Sequence, residues 1–340
     1  MKGLASAIRL ASLLLTSLLL ASLFVALPAL GQEQQPAAVP AATAPALENE
    51  PTTSSSPDAP VPDLTPGPDG KLSQEQMQQL LRVVANKDLE NDKRLRDYTY
   101  TEREVRHKLD GKGQTKSTEE LTYEILEIYG EQVQRLTEKN DQTLDAKEAA
   151  KEDEKIQKII DKRKDESDDA RRKREEKEEK DREDERKFVR EVADAYNFTL
   201  VGTEQLGGRD CWVIAGEPRP GFEPQMKDAK YLPKFHGRVW IDKSDLQLAK
   251  MDVEALDTVS WGLFLARFHK GSRLMLEQTR VNDEVWLPLH VAIKVDVRLA
   301  LVKGINLDDD QTFSDYKKFR TSSKIVGMKE LKDPEIKDQK

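Results

Sequence analysis

The clearest pattern in this chain is an alternation of apolar and polar residues between Leu289 and Leu301. Odd positions hold Leu, Val or Ile, whereas even positions hold His, Lys, Asp, Arg and Ala. A period of two places successive side chains on opposite faces of a strand. The pattern therefore predicts a long strand with one apolar face and one solvent-exposed face.

Other stretches alternate in the same way and predict an antiparallel meander. The predicted strands are Tyr98–Leu109, Ser117–Tyr129, Gln132–Lys139, Phe198–Gln205, Cys211–Ala215, Phe235–Ile241, Leu246–Leu256, Arg273–Val281, Val285–Lys303 and Gln311–Lys324. Turn residues separate them, and Asn306–Asp310 is the predicted turn before the last strand. Within it, Asp308-Asp309-Asp310 lacks the Gly and distal Glu of a calcium loop, so we interpret it as a solvated turn. The apolar patch Val259–Leu265 predicts a short helix or lid.

Two segments have helical patterns. Ser73 is the predicted N-cap of a helix that ends near Arg96, with Gln76 as its capping-box partner. The apolar stripe of this helix is Met77, Leu80, Leu81, Val84 and Leu89.

The second helical segment, Asp145–Arg190, is mostly charged, with balanced signs, and has a coiled-coil-like composition. We expect a mobile helical excursion that turns near Glu166–Asp169 and contributes almost nothing to the core. It is either a solvated insertion without a partner or, as a functional element, an arm that holds another envelope protein by complementary charge.

The N-terminal residues have the pattern of a secretory signal, with Lys2 and Arg9 before an apolar run and Ala29-Leu30-Gly31 as a cleavage site. No cysteine follows that run, so we expect a soluble, non-lipidated periplasmic protein without a transmembrane segment after cleavage. The predicted divisions are a signal peptide (1–31), a disordered Pro/Ala/Ser-rich leader (32–71), the first helix and strands (72–142), the charged excursion (143–196), the remaining strands (197–326) and a polar tail (327–340).

Composition and the absence of known motifs limit the partners and reactions that are expected for this chain. The net charge of −8 argues against nucleic acid as a partner. The sole cysteine, Cys211, excludes an intrachain disulfide and is interpreted as a small buried hydrophobe. The four histidines show no metal-ligand spacing, and no nucleophile or phosphate-binding motif occurs. We therefore predict no metal, no cofactor and no enzymatic activity.

The order of these elements resembles the periplasmic lipoprotein-carrier superfamily, which includes lipoprotein-sorting carriers and related anti-sigma-factor-binding sensors. The resemblance lies in the capped helix at Ser73, the hairpins from Tyr98, the run Gly237-Arg238-Val239-Trp240-Ile241-Asp242 leading into Leu246–Val253, and a closing strand with Tyr316 and Phe319. It implies an α+β fold in which a strongly curved antiparallel sheet forms an open half-barrel with an N-terminal helix. The charged helical insertion is an addition to that pattern.

The resemblance also implies an apolar groove that binds lipidated or hydrophobic cargo, as in a carrier or chaperone. The alternative is an envelope sensor or scaffold that binds another protein through the sheet or the charged arm. The apolar face of the long strand is accordingly either a dry core or a ligand groove. The candidate groove residues are Val291, Ile293, Val295, Val297, Leu299, Met251, Val253, Trp261 and Phe264.

Overall fold

A computed structural model describes residues 63–95, 97–110, 113–129, 131–261, 266–299 and 302–318. The predicted signal peptide, residues 32–62 of the predicted leader and the predicted tail lie outside these ranges, so those three assignments remain predictions. The disorder predicted for residues 63–71 is wrong, because Leu64 is buried in an apolar cluster with Met77 and Lys71 pairs with Thr199.

The described residues form three α-helices, one short 3₁₀ helix and thirteen strands. The helices are α1 (Gln74–Leu95), α2 (Ala146–Lys164), α3 (Asp168–Ala195) and the 3₁₀ helix Ala229–Lys234. The strands are β1 (Tyr98–Leu109), β2 (Thr115–Ile128), β3 (Glu131–Lys139), β4 (Gln142–Thr143), β5 (Tyr196–Leu206), β6 (Arg209–Pro218), β7 (Phe235–Asp242), β8 (Leu248–Ala255), β9 (Val259–Trp261), β10 (Ala266–Phe268), β11 (Arg273–Val281), β12 (Val285–Leu299) and β13 (Val302–Lys318).

All these strands belong to one antiparallel sheet. Its order is β4-β3-β2-β1-β13-β12-β11-β8-β7-β6-β5, with β10 attached to β12 and β9 attached to β10. The sheet is open, and β4 and β5 are its two ends. The last strand, β13, lies between β1 and β12, which joins the N-terminal strands to the C-terminal meander. The predicted fold class, an α+β open half-barrel with an N-terminal helix and a helical insertion, is confirmed.

Helix α1 covers part of one face of the sheet, which we call the inner face. Its N-terminus has the predicted capping box, because the Gln76 amide donates to Ser73 Oγ at 3.1 Å and the Ser73 amide donates to Gln76 Oε1 at 2.8 Å. Met77, Leu80 and Val84 are buried. They belong to one apolar cluster with residues of β5, β6 and β7, namely Tyr196, Phe198, Ile214 and Ile241.

The turn predicted at Asn306–Asp310 is wrong. These residues lie inside β13 and pair with Val105–Leu109 of β1. The acidic triplet therefore alternates between the two faces of a strand, and Asp309 is fully buried rather than solvated. Charged residues rarely lie on the core face of a strand, so three consecutive carboxylates favour a turn. Asp309 is an exception to this rule, and the predicted turn is therefore wrong.

The helix or lid expected at Val259–Leu265 is a strand where the structure describes it. Val259–Trp261 forms β9 and pairs with Ala266–Phe268 of β10. Residues 262–265 lie outside the described ranges.

The charged segment folds as α2 and α3, and the turn between them, Asp165–Ser167, lies close to the predicted position. Asp145 caps α2 and Ser167 caps α3. The expectation that this segment holds almost no core residues is wrong, because Ile156 and Ile160 are fully buried. They form a third cluster with Leu126, Ile128 and Val133 of β2 and β3.

This third cluster lies on the outer face of the sheet. Leu126 and Ile128 alternate along β2 with Ile125, which belongs to the inner-face core. Arg163 reinforces the attachment of α2 through an ion pair with Glu131 at 2.5 Å. Helix α2 therefore covers the sheet on the side opposite to α1.

Candidate functional site on the inner face of the sheet

Cross-strand pairing brings four of the predicted groove residues onto one face. Met251 lies opposite Leu276, which in turn lies opposite Val291. One step along the strands, Val253, Leu274 and Ile293 form a parallel row. Residues directly opposite each other in antiparallel strands share a face, so both rows point to the inner face.

These rows differ in burial. Val291 is 0% exposed and Ile293 is 2% exposed, and both belong to the inner-face core with Leu95, Tyr98 and Phe313. Five other side chains of the same face are only half-buried. They form what we call the apolar strip: Val239, Met251, Val253, Leu274 and Val295. The face is therefore a dry core at its centre and an accessible apolar surface beside it.

Two glycines beside the strip allow their neighbours to pack closely. Gly216 of β6 lies opposite Gly237 of β7, which lies opposite Val253. A Cβ atom at Gly237 would be 2.4 Å from the carbonyl oxygen of Asp252, so only glycine allows β7 and β8 to approach this closely. At Gly216, a Cβ atom would meet the Phe198 ring at 3.2 Å.

The remaining predicted groove residues extend the candidate region. Val297 lies opposite Ile305 and Phe268, and Leu299 lies opposite Ala266 and Val302. Trp261 of β9 also lies opposite Ala266. Phe264 lies outside the described residues, so its assignment remains a prediction.

The apolar alternation of β12 is interrupted at Leu289. A register shift opposite Glu277 and Gln278 leaves Leu289 between the paired residues Pro288 and His290. Leu289 is 40% exposed, so the apolar face of β12 does not include this position.

The inner face becomes polar where β12 meets β13 and β1. Gln311 lies opposite both Val291 and Glu104, and Asp309 lies opposite both Ile293 and Arg106. Together with Glu102 these residues form what we call the polar patch: Glu102, Glu104, Arg106, Asp309 and Gln311. All five are buried.

Burial changes the protonation of this patch. Burial, and then the negative charge of Glu104, raise the pKa of Asp309 to about 8. Burial also raises the pKa of Glu102 to about 7, despite the hydrogen bond that it accepts from Gln134. Near neutral pH, Asp309 is therefore mainly a neutral acid.

Sequence reasoning missed the polar patch because these charges occupy core-facing positions. A usable signal was present, since Leu307, Asp309, Gln311 and Phe313 continue a period of two through the acidic triplet. In β1, Tyr98 and Tyr100 fix the inner parity, and Glu102, Glu104 and Arg106 continue it.

Other candidate sites lie elsewhere. A groove of about 350 Å³ lies between Gln78 and Leu81 of α1 and Val189 and Ala193 of α3, and none of the predicted groove residues lines it.

Cys211 is fully buried, and burial raises the pKa of its thiol to about 11, so it is not a thiolate nucleophile at neutral pH. Among the described residues, no group of three or more His, Cys, Asp or Glu side chains is arranged to hold a metal ion. Nor does any helix in the described ranges have the length and apolar character needed to span a bilayer.

The fold is similar to several solved structures. A domain proposed to be an outer membrane lipoprotein-sorting protein from Vibrio parahaemolyticus has 13% identity and a TM-score of 0.30, over 73% of this chain and 94% of the other. A LolA superfamily protein from Nitrosomonas europaea has 11% identity and a TM-score of 0.27, over 74% and 98%. A DUF1329 family protein from Desulfovibrio piger ATCC 29098 has 12% identity and a TM-score of 0.26, over 75% and 98%.

The open antiparallel sheet of this chain is defined by the pairing of its own strands. No protein-family model matches this chain. No curated protein matches it significantly.

Proposed function

We propose that this protein is an exported, non-catalytic carrier or chaperone that binds hydrophobic or lipidated cargo on the inner face of its sheet. The observation that supports this most is the apolar strip, where five aliphatic or thioether side chains from four strands share one face and stay half-buried. An acyl chain laid on such a surface gains about 0.8 kcal/mol for each methylene removed from water.

Export is supported by the sequence alone. The basic residues Lys2 and Arg9, the apolar run and Ala29-Leu30-Gly31 fit a cleaved signal that leaves Gln32 as the mature N-terminus. N-terminal sequencing of the protein from its native envelope tests this, and a secreted chain that still begins at Met1 would contradict it.

The binding proposal predicts that charge on the strip removes cargo affinity without unfolding the protein. Val253→Asp and Val295→Asp each place a carboxylate at a half-buried position, where it remains partly hydrated and opposes an acyl chain. We expect both variants to retain their circular dichroism spectrum and to lose at least about tenfold in affinity for a fluorescent fatty-acyl probe, a change of about 1.4 kcal/mol.

Lys294→Glu is the matched control, because Lys294 is exposed on the other face of β12, between Ile293 and Val295. This variant is expected to bind the probe like the wild type. If the wild type binds no acyl probe, or if the two strip variants bind it unchanged, the carrier proposal fails. A stable complex with another envelope protein and no bound lipid would then favour the sensor or scaffold alternative.

A further inference from the structure

The groove between α1 and α3 combines an apolar floor with positive charge at its sides. Leu81 of α1 and Val189 of α3 are half-buried in it, and Ala193 of α3 is 1% exposed. Arg82 and Arg190 also line the groove, one on each helix, and both are exposed. Its volume of about 350 Å³ lies within the range of about 300–1,000 Å³ that is usual for ligand sites. The groove therefore suits a short segment that carries both an aliphatic side chain and negative charge.

Polar contacts hold the two helices together at one end of the groove. Gln78 Nε2 donates to Asp194 Oδ1 at 2.9 Å, and Gln74 Nε2 donates to the carbonyl oxygen of Ala193. Among the described residues, Asp194 is the only acid that lines the groove, and its carboxylate is engaged by α1 through these glutamines. The two arginines therefore set the charge of the rest of the groove.

The N-terminal part of the chain enters the described structure close to this groove. Gln76 Nε2 donates to the carbonyl oxygens of Asp63 and Thr65, at 2.8 Å in each case. These bonds tether residues 32–62, which we call the leader segment, to the first turn of α1. Gln76 precedes Leu81 by five residues, which is about 8 Å along the helix axis. The leader segment is therefore anchored within a short distance of the groove.

The leader segment has the composition that suits the groove. All its charged residues are acidic: Glu33, Glu48, Glu50 and Asp58. Leu47 is its only leucine and stands directly before Glu48. Successive side chains of an extended chain point to opposite sides, so Leu47 can face an apolar floor while Glu48 and Glu50 point away from it. A proline follows Glu50 and favours extended backbone at that position.

We infer that Ala46–Glu50 of the leader segment docks in this groove of the same chain, with Leu47 on the apolar floor and the two glutamates beside the two arginines. Sixteen residues lead from Leu47 to Asp63, and a flexible chain of that length spans about 22 Å on average. This span is enough to pass around α1, whose diameter is about 10–12 Å, and to reach the groove. A tether of matching length gives an effective concentration in the millimolar range, so a weak contact suffices. The inference goes beyond the proposed function, because no residue of the apolar strip lines the groove.

The test measures how a labelled synthetic peptide with the sequence of Thr43–Thr52 binds the full mature chain, by fluorescence anisotropy. The wild type is compared with a leader variant, Leu47→Ala/Glu48→Gln/Glu50→Gln, whose own segment no longer fills the groove. We expect the leader variant to bind the peptide about tenfold tighter than the wild type. The reason is that the wild-type segment competes with the peptide at a high effective concentration.

Charge reversal in the groove tests the site itself. Arg82→Glu/Arg190→Glu, added to the leader variant, should weaken peptide binding at least about tenfold, and a peptide with both glutamates replaced by lysine should bind this variant tighter than the original peptide does. The matched control is Lys87→Glu/Lys173→Glu, which reverses one exposed cation on each of the same helices outside the groove. Added to the leader variant, this control should leave peptide binding unchanged. All the reversed residues are exposed, and circular dichroism checks that each variant is folded.

Three results would overturn the inference. If the leader variant binds no peptide, or if the control weakens binding as much as the groove reversal does, the groove is not the docking site. If the wild type and the leader variant bind the peptide equally, the groove takes an acidic segment of another protein and not its own leader.

Sedimentation in which the wild type dimerises and the leader variant stays monomeric would show that the leader docks on a second copy, and docking within one chain would be wrong. Each of these results leaves the carrier proposal intact, because binding of the fatty-acyl probe is measured separately on the apolar strip variants.

Discussion

At the scale of single residues, Asp309 is the side chain whose surroundings most change its chemistry. Its pKa in the folded chain is raised to about 8, from an ordinary value of 3.8. Between these two values the folded chain holds a proton that the unfolded chain has released, so this group makes the folded state less stable as the pH rises. This contribution to stability is fully present below the unfolded-state pKa, and it is lost as the pH rises through the folded-state pKa.

Asp309→Asn should therefore remove part of the pH dependence of folding. We expect the variant to gain stability over the wild type as the pH rises from 5 to 8, with a slope of up to about 1.4 kcal/mol per pH unit. Urea unfolding at pH 5, 6, 7 and 8 measures this difference. Asp308→Asn, on the other face of the same strand, should follow the wild type, and parallel curves for Asp309→Asn would show that Asp309 is ionised in the folded chain.

The residue scale is also where sequence reasoning was least complete. Met251, Val253, Val291 and Ile293 were placed on one face because aliphatic residues at a period of two report which face is buried. Glu104 and Asp309 were not, because burial of a charged residue depends on neighbours from two strands that are distant in sequence. The local period of two places both side chains on the inner face, but it does not show which residues of the neighbouring strands lie opposite them.

At the scale of elements, α2 shows how a charged helix can still be part of the core. Its surface is mostly ionic, but Ile156 and Ile160, four residues apart, lie on one side of the helix and pack on β2 and β3. The many charged residues around Ile156 and Ile160 made this apolar side easy to overlook in the sequence, although the spacing of four residues between them indicates it. The helix boundaries and the turn after Lys164 were predicted closely because caps and charge pairs are local signals.

This packing predicts different costs along one helix. Ile156→Ala and Ile160→Ala should each destabilise α2 and its contact with β3 by about 2–4 kcal/mol, because each removes a fully buried side chain. Ile159→Ala, on the same helix but only partly buried, should cost clearly less. Thermal melts followed by circular dichroism at 222 nm test the order, and equal effects of all three substitutions would show that α2 is not held by this cluster.

At the scale of the whole molecule, the sheet is continuous, but the apolar clusters that pack on it are separate from one another. The two largest clusters lie on the inner face, and the partly buried Leu248 packs against both of them. The cluster beneath α2 lies on the outer face next to the β4 end of the sheet. The sheet connects all three clusters through its strands. Side-chain packing does not, because the cluster beneath α2 lies on the face opposite to the other two.

This separation predicts that the α2 region opens before the inner-face core does. The cluster beneath α2 consists of five buried residues. The ion pairs beside it, such as Arg135 with Asp153 at 3.0 Å, are partly exposed and therefore contribute little to its stability. Local opening follows such differences in buried contacts, so amides of α2 and β3 should exchange hydrogen for deuterium faster than those of β11 and β12. Peptide-level exchange measured by mass spectrometry tests this on the wild type. Ile156→Ala should then accelerate exchange in β3 and leave β12 unchanged. Acceleration in both strands would mean that the sheet unfolds as a single cooperative unit, and that cargo on the inner face would also stabilise the distant helical insertion.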